Sequence, residues 1–228
     1  MWEPRKKNYT QNKNSSFKIL NLKRGLIFIA EQTGAVNVIN SSYESNVFYA
    51  HDGKVSHIYA SPVKDIFVTV GLHENKPTFK VWYYDLAFVT DATKTPKCVH
   101  SRVLMSGASQ LGDISCFTVQ STLTCAAIGF TTGQVLLLKG DITREKHSKI
   151  VQLHSSDYPV TNLNCFNEIL YVTTVKDAQF YKLKEKSPSK IPLNAKGCAP
   201  NCAAISDQGE LILGLVNYIN LLKTRDLH

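Results

Sequence analysis

The stretch Phe79-Lys80-Val81-Trp82-Tyr83-Tyr84-Asp85 reads as an apolar–x–apolar–Trp strand running towards an acidic turn. Strands of this composition, rich in Val, Ile, Thr, Phe and Tyr and bounded by Gly, Asp, Asn or Pro, recur on both sides of it. Helical periodicity is almost absent. The chain therefore reads as all-β from residue 17 to residue 222.

The recurrence has a fixed form: an apolar strand, a turn of glycine or small polar residues, then a second apolar strand. Residues 25–30 turn at Gln32-Thr33-Gly34 into 35–39, and 65–71 turn through Leu72 to Pro77 into 79–83. Residues 124–130 turn at Thr131-Thr132-Gly133 into 134–138, 169–174 turn at Val175-Lys176-Asp177 into 178–181, and 210–215 turn near Asn217 into 218–222. Counted from Leu26, Ile66, Thr124, Ile169 and Leu211, the intervals are 40, 58, 45 and 42 residues. Three of them match the roughly 40–45-residue period of a WD40-type blade. The long interval implies an insertion, and residues 88–113, polar and containing Pro and Ser-Gly, read as an inter-blade loop. Further strands stand ahead of four of the pairs, at 55–59, 114–118, 160–164 and 202–205, each alternating with period two.

The fold this predicts is a WD40-like β-propeller of about five blades over residues 17–228, behind a polar basic tail over 1–16. Trp82 is expected to fill the space between neighbouring sheets and Asp85 to close the next turn. A sandwich would not need a 40-residue rhythm. Either five blades close into a ring or the propeller is incomplete; the lack of a returning strand after Leu222 favours an incomplete one.

Charge narrows the function. The net charge is +8, but residues 1–24 carry +6, residues 139–149 carry +2 and residues 176–190 carry +3, which leaves −3 on the remainder. The body is nearly neutral, and its basic stretches lack the stacking aromatics of a nucleic-acid reader, so no nucleic-acid partner is expected. Apolar runs reach four or five residues, far short of the roughly 20 that span a bilayer, and no apolar stretch follows the basic N-terminus as in a secretory signal. This reading places the chain in the cytosol. There the six cysteines would stay reduced, and the Asn8, Asn14 and Asn40 glycosylation patterns are chance matches.

Phosphate-loop, nucleophile-elbow and zincin motifs are missing from the sequence, so no catalytic residues, cofactor or enzymatic activity is expected. His51 and His57 flank an Asp-Gly turn and read as solvated loop histidines rather than metal ligands. Cys198-Ala-Pro-Asn-Cys202 has no second ligand pair at zinc-site spacing, so no metal is expected and the pair reads as small buried residues at the start of a strand. The most unusual polar stretch is Lys139-Gly-Asp141-Ile-Thr143-Arg144-Glu-Lys146-His147-Ser-Lys149, expected as an exposed connection between two strands. Two readings of it stand. Arg144, Lys146 and Lys149 could meet an acidic partner, a lipid headgroup or a phosphopeptide; or Asp141 and Thr143 bond local backbone in a solvated turn.

That same stretch, with Ala127-Ile-Gly-Phe-Thr-Thr-Gly-Gln-Val135 ahead of it, closely resembles the N-terminal propeller of the vacuolar protein sorting-associated protein eleven family. Phe79 to Trp82, Asp157-Tyr-Pro-Val-Thr161, Tyr171-Val-Thr-Thr174 and Gly197-Cys198 with Cys202 ahead of Ser206-Asp207 match in the same order. The resemblance runs from about Phe17 to Leu222. It implies a non-enzymatic scaffold of the HOPS and CORVET membrane-tethering complexes, acting in vesicle docking, fusion and protein transport to the lysosome or vacuole. Its partners would be other class C sorting subunits, with late endosomal or lysosomal membrane reached indirectly through Rab and SNARE machinery. Family members continue into two further blades, an α-solenoid and a RING-type zinc module, none of which this sequence contains. A propeller acting alone on acidic lipid or phosphopeptide through residues 139–149 is the alternative.

Overall fold

The computed structural model describes residues 18–21, 25–85, 87, 89–91, 94–105, 110–184, 187–205, 211–214 and 219–222. The expected tail over 1–16 lies outside the described residues. Five antiparallel sheets follow one another along the chain. The first holds β1 (Lys18–Asn21), β2 (Ile27–Ala30), β3 (Ala35–Ile39) and β4 (Ser45–Tyr49); the second β5 (Val55–Ala60), β6 (Ile66–His73), β7 (Lys76–Tyr83) and β8 (Lys97–Val103). The third holds β9 (Ile114–Val119), β10 (Cys125–Phe130), β11 (Val135–Gly140) and β12 (Ser148–His154); the fourth β13 (Val160–Phe166), β14 (Ile169–Thr174), β15 (Asp177–Lys182) and β16 (Ser189–Lys196). The fifth, of three described strands, holds β17 (Ala203–Ile205), β18 (Leu211–Gly214) and β19 (Ile219–Leu222). In every sheet the strands pair in chain order, and the first strands of successive sheets, β1, β5, β9, β13 and β17, pack side by side.

This is a β-propeller, and its core explains the sequence pattern. A central strand covered on both faces has no polar side, so it reads as an unbroken apolar run. In β6, Phe67 packs against the first sheet while Val68 and Val70 pack against the third. In β10, Ala126, Ile128 and Phe130 face the second sheet and Ala127 the fourth. In β14, Leu170 and Val172 face the third sheet, whereas Ile169 and Tyr171 face the fifth. Four apolar cores thus join five blades in sequence, and among the described residues no core joins the fifth blade to the first. Among the described residues the ring of blades does not close.

The repeated Thr-Gly turns have a steric cause. Gly34 and Gly133 lie at φ +90° and +82°, and a Cβ on them would stand 2.1 Å from the His51 carbonyl oxygen and 2.0 Å from that of Ser156. Each turn presses on the segment crossing to the next blade, and the Gly34 and Gly133 carbonyls accept from Ala50 (2.9 Å) and Ser156 (3.1 Å). Only glycine fits both the backbone and the space.

The sequence reading does not mark β1, β4, β8 or β16, and it places one hairpin turn differently. Residues 88–113 are not only a loop: they contain β8, an outer strand whose Lys97, Cys98, Val99, Ser101 and Val103 are exposed. An edge strand with one open face lacks the apolar run that marked the others. The second hairpin turns at Glu74-Asn75, both at positive φ, rather than through 72–77. Pro77, a residue rarely found inside a strand, pairs with Leu72 here, and its carbonyl accepts from the Leu104 N–H at 2.8 Å.

Candidate interaction site

Trp82, on β7, stacks on Phe67 at 6.0 Å between centroids and 7° between planes, with Phe48 at 5.2 Å against it. It thereby sits between the first and second sheets. Its indole Nε1–H donates to Thr69 Oγ1 at 2.9 Å, and the same hydroxyl pairs with His51 Nε2 at 2.9 Å. His51 is therefore not a solvated loop histidine: it is 2% exposed, and burial together with the Lys80 charge pushes its pKa down to about 3. Buried histidine at the segment linking two blades is common to neither a turn nor a metal motif, which is why the sequence hid it. Lys80 donates from Nζ to the Ala50 carbonyl at 2.9 Å, fastening the same segment. Asp85, exposed in the connection after β7, accepts the Ala87 N–H at 3.0 Å.

The connection between β11 and β12 carries the predicted interaction residues, and the structure divides them. Lys139 turns to the neighbouring blade, where Nζ donates to the Leu183 carbonyl at 2.6 Å. Asp141 Oδ1 accepts from the Thr143 N–H at 3.0 Å and from its hydroxyl, and Arg144 Nε lies 3.5 Å from Asp141 Oδ2. The Thr143 hydroxyl is the main cause holding the Asp141 carboxyl below its ordinary range. Ile142 is fully buried in the core between the second and third blades, so it pins the connection from beneath. A single 3-10 turn over Glu145–His147 follows. Arg144, Lys146, His147 and Lys149 are exposed. The arrangement is a self-bonded turn with local hydrogen bonds and one weak surface ion pair, a kind of pair that contributes about 0–1 kcal/mol.

Among the described residues no group of three or more His, Cys, Asp or Glu is placed to hold a metal ion. Cys198 is buried, with its thiol 3.5 Å from Thr173 Oγ1, whereas Cys202 is exposed and does not share that packing. The sequence reading of both as buried holds only for Cys198, because Cys202 lies in the turn after the chain has left the core. What sequence reasoning missed is a recess of about 260 Å³ on the fourth blade with Lys176, Lys190 and Lys196 around it. Its only signal was the excess charge of residues 176–190. No helix among the described residues is long and apolar enough to cross a membrane.

Comparison with known proteins adds the following. The family described as PEP5/VPS11 N-terminal matches residues 3–226. Vacuolar protein sorting-associated protein 11 homologs of Mus musculus and Homo sapiens are each 32% identical over 194 residues, covering 82% of this chain and 20% of theirs. The Dictyostelium discoideum homolog is 25% identical over 205 residues, covering 83% of this chain and 20% of its own. The chain spans about one fifth of the length of these relatives. Among solved structures, the computationally designed Ika8 protein superposes with TM-score 0.62 at 13% identity, over 89% of this chain and 57% of that one. U3-55K superposes with TM-score 0.60 at 13% identity, over 86% and 59%. These two likenesses are of fold alone.

Proposed function

The chain belongs to the PEP5/VPS11 N-terminal family, and from that premise we propose that it is the propeller part of a scaffold in vacuolar protein sorting. The observation that carries the reading is the match over residues 3–226 together with a propeller in which Lys80 and Lys139 bond across to the adjoining blade segments. A propeller offers rims and connections as rigid docking surfaces, and the hydrogen bonds of Thr69, Lys80 and Lys139 serve that rigidity. In finer terms, the scaffold acts without catalysis in the HOPS and CORVET tethering complexes. It binds other class C sorting subunits and lies peripherally at late endosomal, lysosomal or vacuolar membrane, ahead of Rab- and SNARE-dependent fusion.

The reading of residues 139–149 as a lipid or phosphopeptide site finds no support in the geometry. Arg144 is turned onto Asp141 and Lys139 onto Leu183, so these two cations are engaged within the protein rather than presented to a shared ligand. The proposal is tested by removing the gene product and following a vacuolar or lysosomal hydrolase. Secretion or accumulation of its unprocessed precursor is expected, restored by the full-length protein. Normal delivery of the hydrolase would contradict it.

A further inference from the structure

The recess on the fourth blade lies between β15, β16 and the turn before them. Directly opposite residues of an antiparallel pair share a face, and Tyr181 opposes Lys190 while Asp177 opposes Lys196. Tyr181 packs in the core between the third and fourth blades. Lys190 and Lys196 therefore stand on the face of the fourth blade that looks towards the third. The register shifts between Ala178 and Phe180, so Gln179 has no paired residue on β16 and the ladder opens at that point.

The wall of the recess is already ordered. Asp177 accepts the Thr174 hydroxyl on Oδ1, and the Gln179 amide on Oδ2 at 2.7 Å. Tyr181 donates to Gln179 Oε1 at 3.0 Å, which leaves His154 Nδ1–H as the donor to the Tyr181 hydroxyl at 2.9 Å. Asp177, the one carboxylate among the described residues lining the recess, is thus tied into a chain of hydrogen bonds running back to the third blade. Around it stand three lysines, exposed at the rim. Lys176 is steadied over the Tyr158 ring at 5.1 Å, so its position is partly set before anything binds. Three ammonium groups against one hydrogen-bonded carboxylate leave an excess of positive charge.

We propose that this recess, framed by Lys176, Lys190 and Lys196, is a docking site for an acidic peptide segment of a partner protein. A recess of about 260 Å³ framed by two strands and a turn of one blade admits side chains from an extended chain, whereas a planar bilayer would not enter it. Pro192 lies on the outer strand β16 and has no N–H to give, so recognition there proceeds through side-chain charge rather than strand addition. The site is independent of the sorting role proposed above, since its recognition rests on charge and shape alone.

The test uses the full chain, fluorescein-labelled hexaglutamate as the probe, and fluorescence anisotropy at low and physiological ionic strength. The triple variant Lys176→Gln, Lys190→Gln, Lys196→Gln should weaken binding by about tenfold or more. A control of equal charge loss on the second blade, Lys54→Gln, Lys64→Gln, Lys97→Gln, should change it by less than about twofold, and added salt should weaken the wild type. Lys190→Gln alone, at an exposed rim position, should give a partial loss with an unchanged far-UV circular dichroism spectrum, which separates binding from folding. Equal losses in the triple variant and its control would overturn the proposal. So would capture by phosphatidylserine vesicles without any binding of hexaglutamate.

Discussion

Trp82 and Thr69 share a hydrogen bond of 2.9 Å inside the interface of the first two blades, and the Thr69 hydroxyl at its centre also meets His51. Thr69→Val removes that hydroxyl with little change of volume and leaves the indole N–H and an imidazole nitrogen buried without it. The expected loss of stability is about 1–3 kcal/mol, read from urea denaturation midpoints. Trp82→Ala should cost more, about 3–5 kcal/mol, because it also empties the space between Phe48 and Phe67.

The glycine turns give a graded series. Gly34→Ala and Gly133→Ala each meet both a positive φ and a carbonyl oxygen near 2 Å, so each should lower stability by more than about 2 kcal/mol. At Gly25 the φ is +73° but the nearest atom is 3.6 Å away. Gly25→Ala should cost only the backbone term, about 1–2 kcal/mol. Thermal midpoints of the three variants should order accordingly.

How much of this was legible in the sequence depends on how each residue is covered. Central strands such as Ala126 to Phe130 and Leu170 to Thr174 are buried on both faces, so their apolar runs and the Gly turns marked the blades and their spacing. Outer strands such as Lys97 to Val103 have one open face and carry no such mark. The cluster 139–149 was visible as charge, but the bond of Arg144 to Asp141 and the reach of Lys139 to Leu183 depend on three-dimensional neighbours. The recess of the fourth blade needs residues from two strands and a turn in register, and linear spacing does not show register.

Acid should loosen the propeller. His51 titrates near 6.5 when unfolded and near 3 when folded, driven first by burial and next by Lys80, with His73 adding to the shift and Asp52 opposing it. Between those values the unfolded chain binds a proton that the folded chain does not, so stability falls as pH falls from about 6.5 towards 3. The slope from one such group approaches about 1.4 kcal/mol per pH unit. Burial also lowers the pKa of His100 and of His154, which act in the same direction. Denaturation midpoints against pH should show this decline, and His51→Gln should make it shallower.

The turn at 139–149 should prove structural rather than adhesive. Asp141→Ala removes the acceptor of the Thr143 N–H and hydroxyl and should cost about 1 kcal/mol. Arg144→Ala, Lys146→Ala and Lys149→Ala, all exposed, should each stay within about 0.5 kcal/mol of wild type. Chemical denaturation of the four variants checks both statements.

The central claim is that this propeller belongs to a sorting scaffold that works by holding other proteins. The most direct measurement is affinity purification of the tagged full-length protein from its own cells, with mass spectrometry of what accompanies it. The account predicts stoichiometric recovery of other vacuolar sorting subunits, unchanged when Arg144, Lys146 and Lys149 are replaced by alanine. Purification of the protein alone, under conditions where its fold is intact, would contradict it.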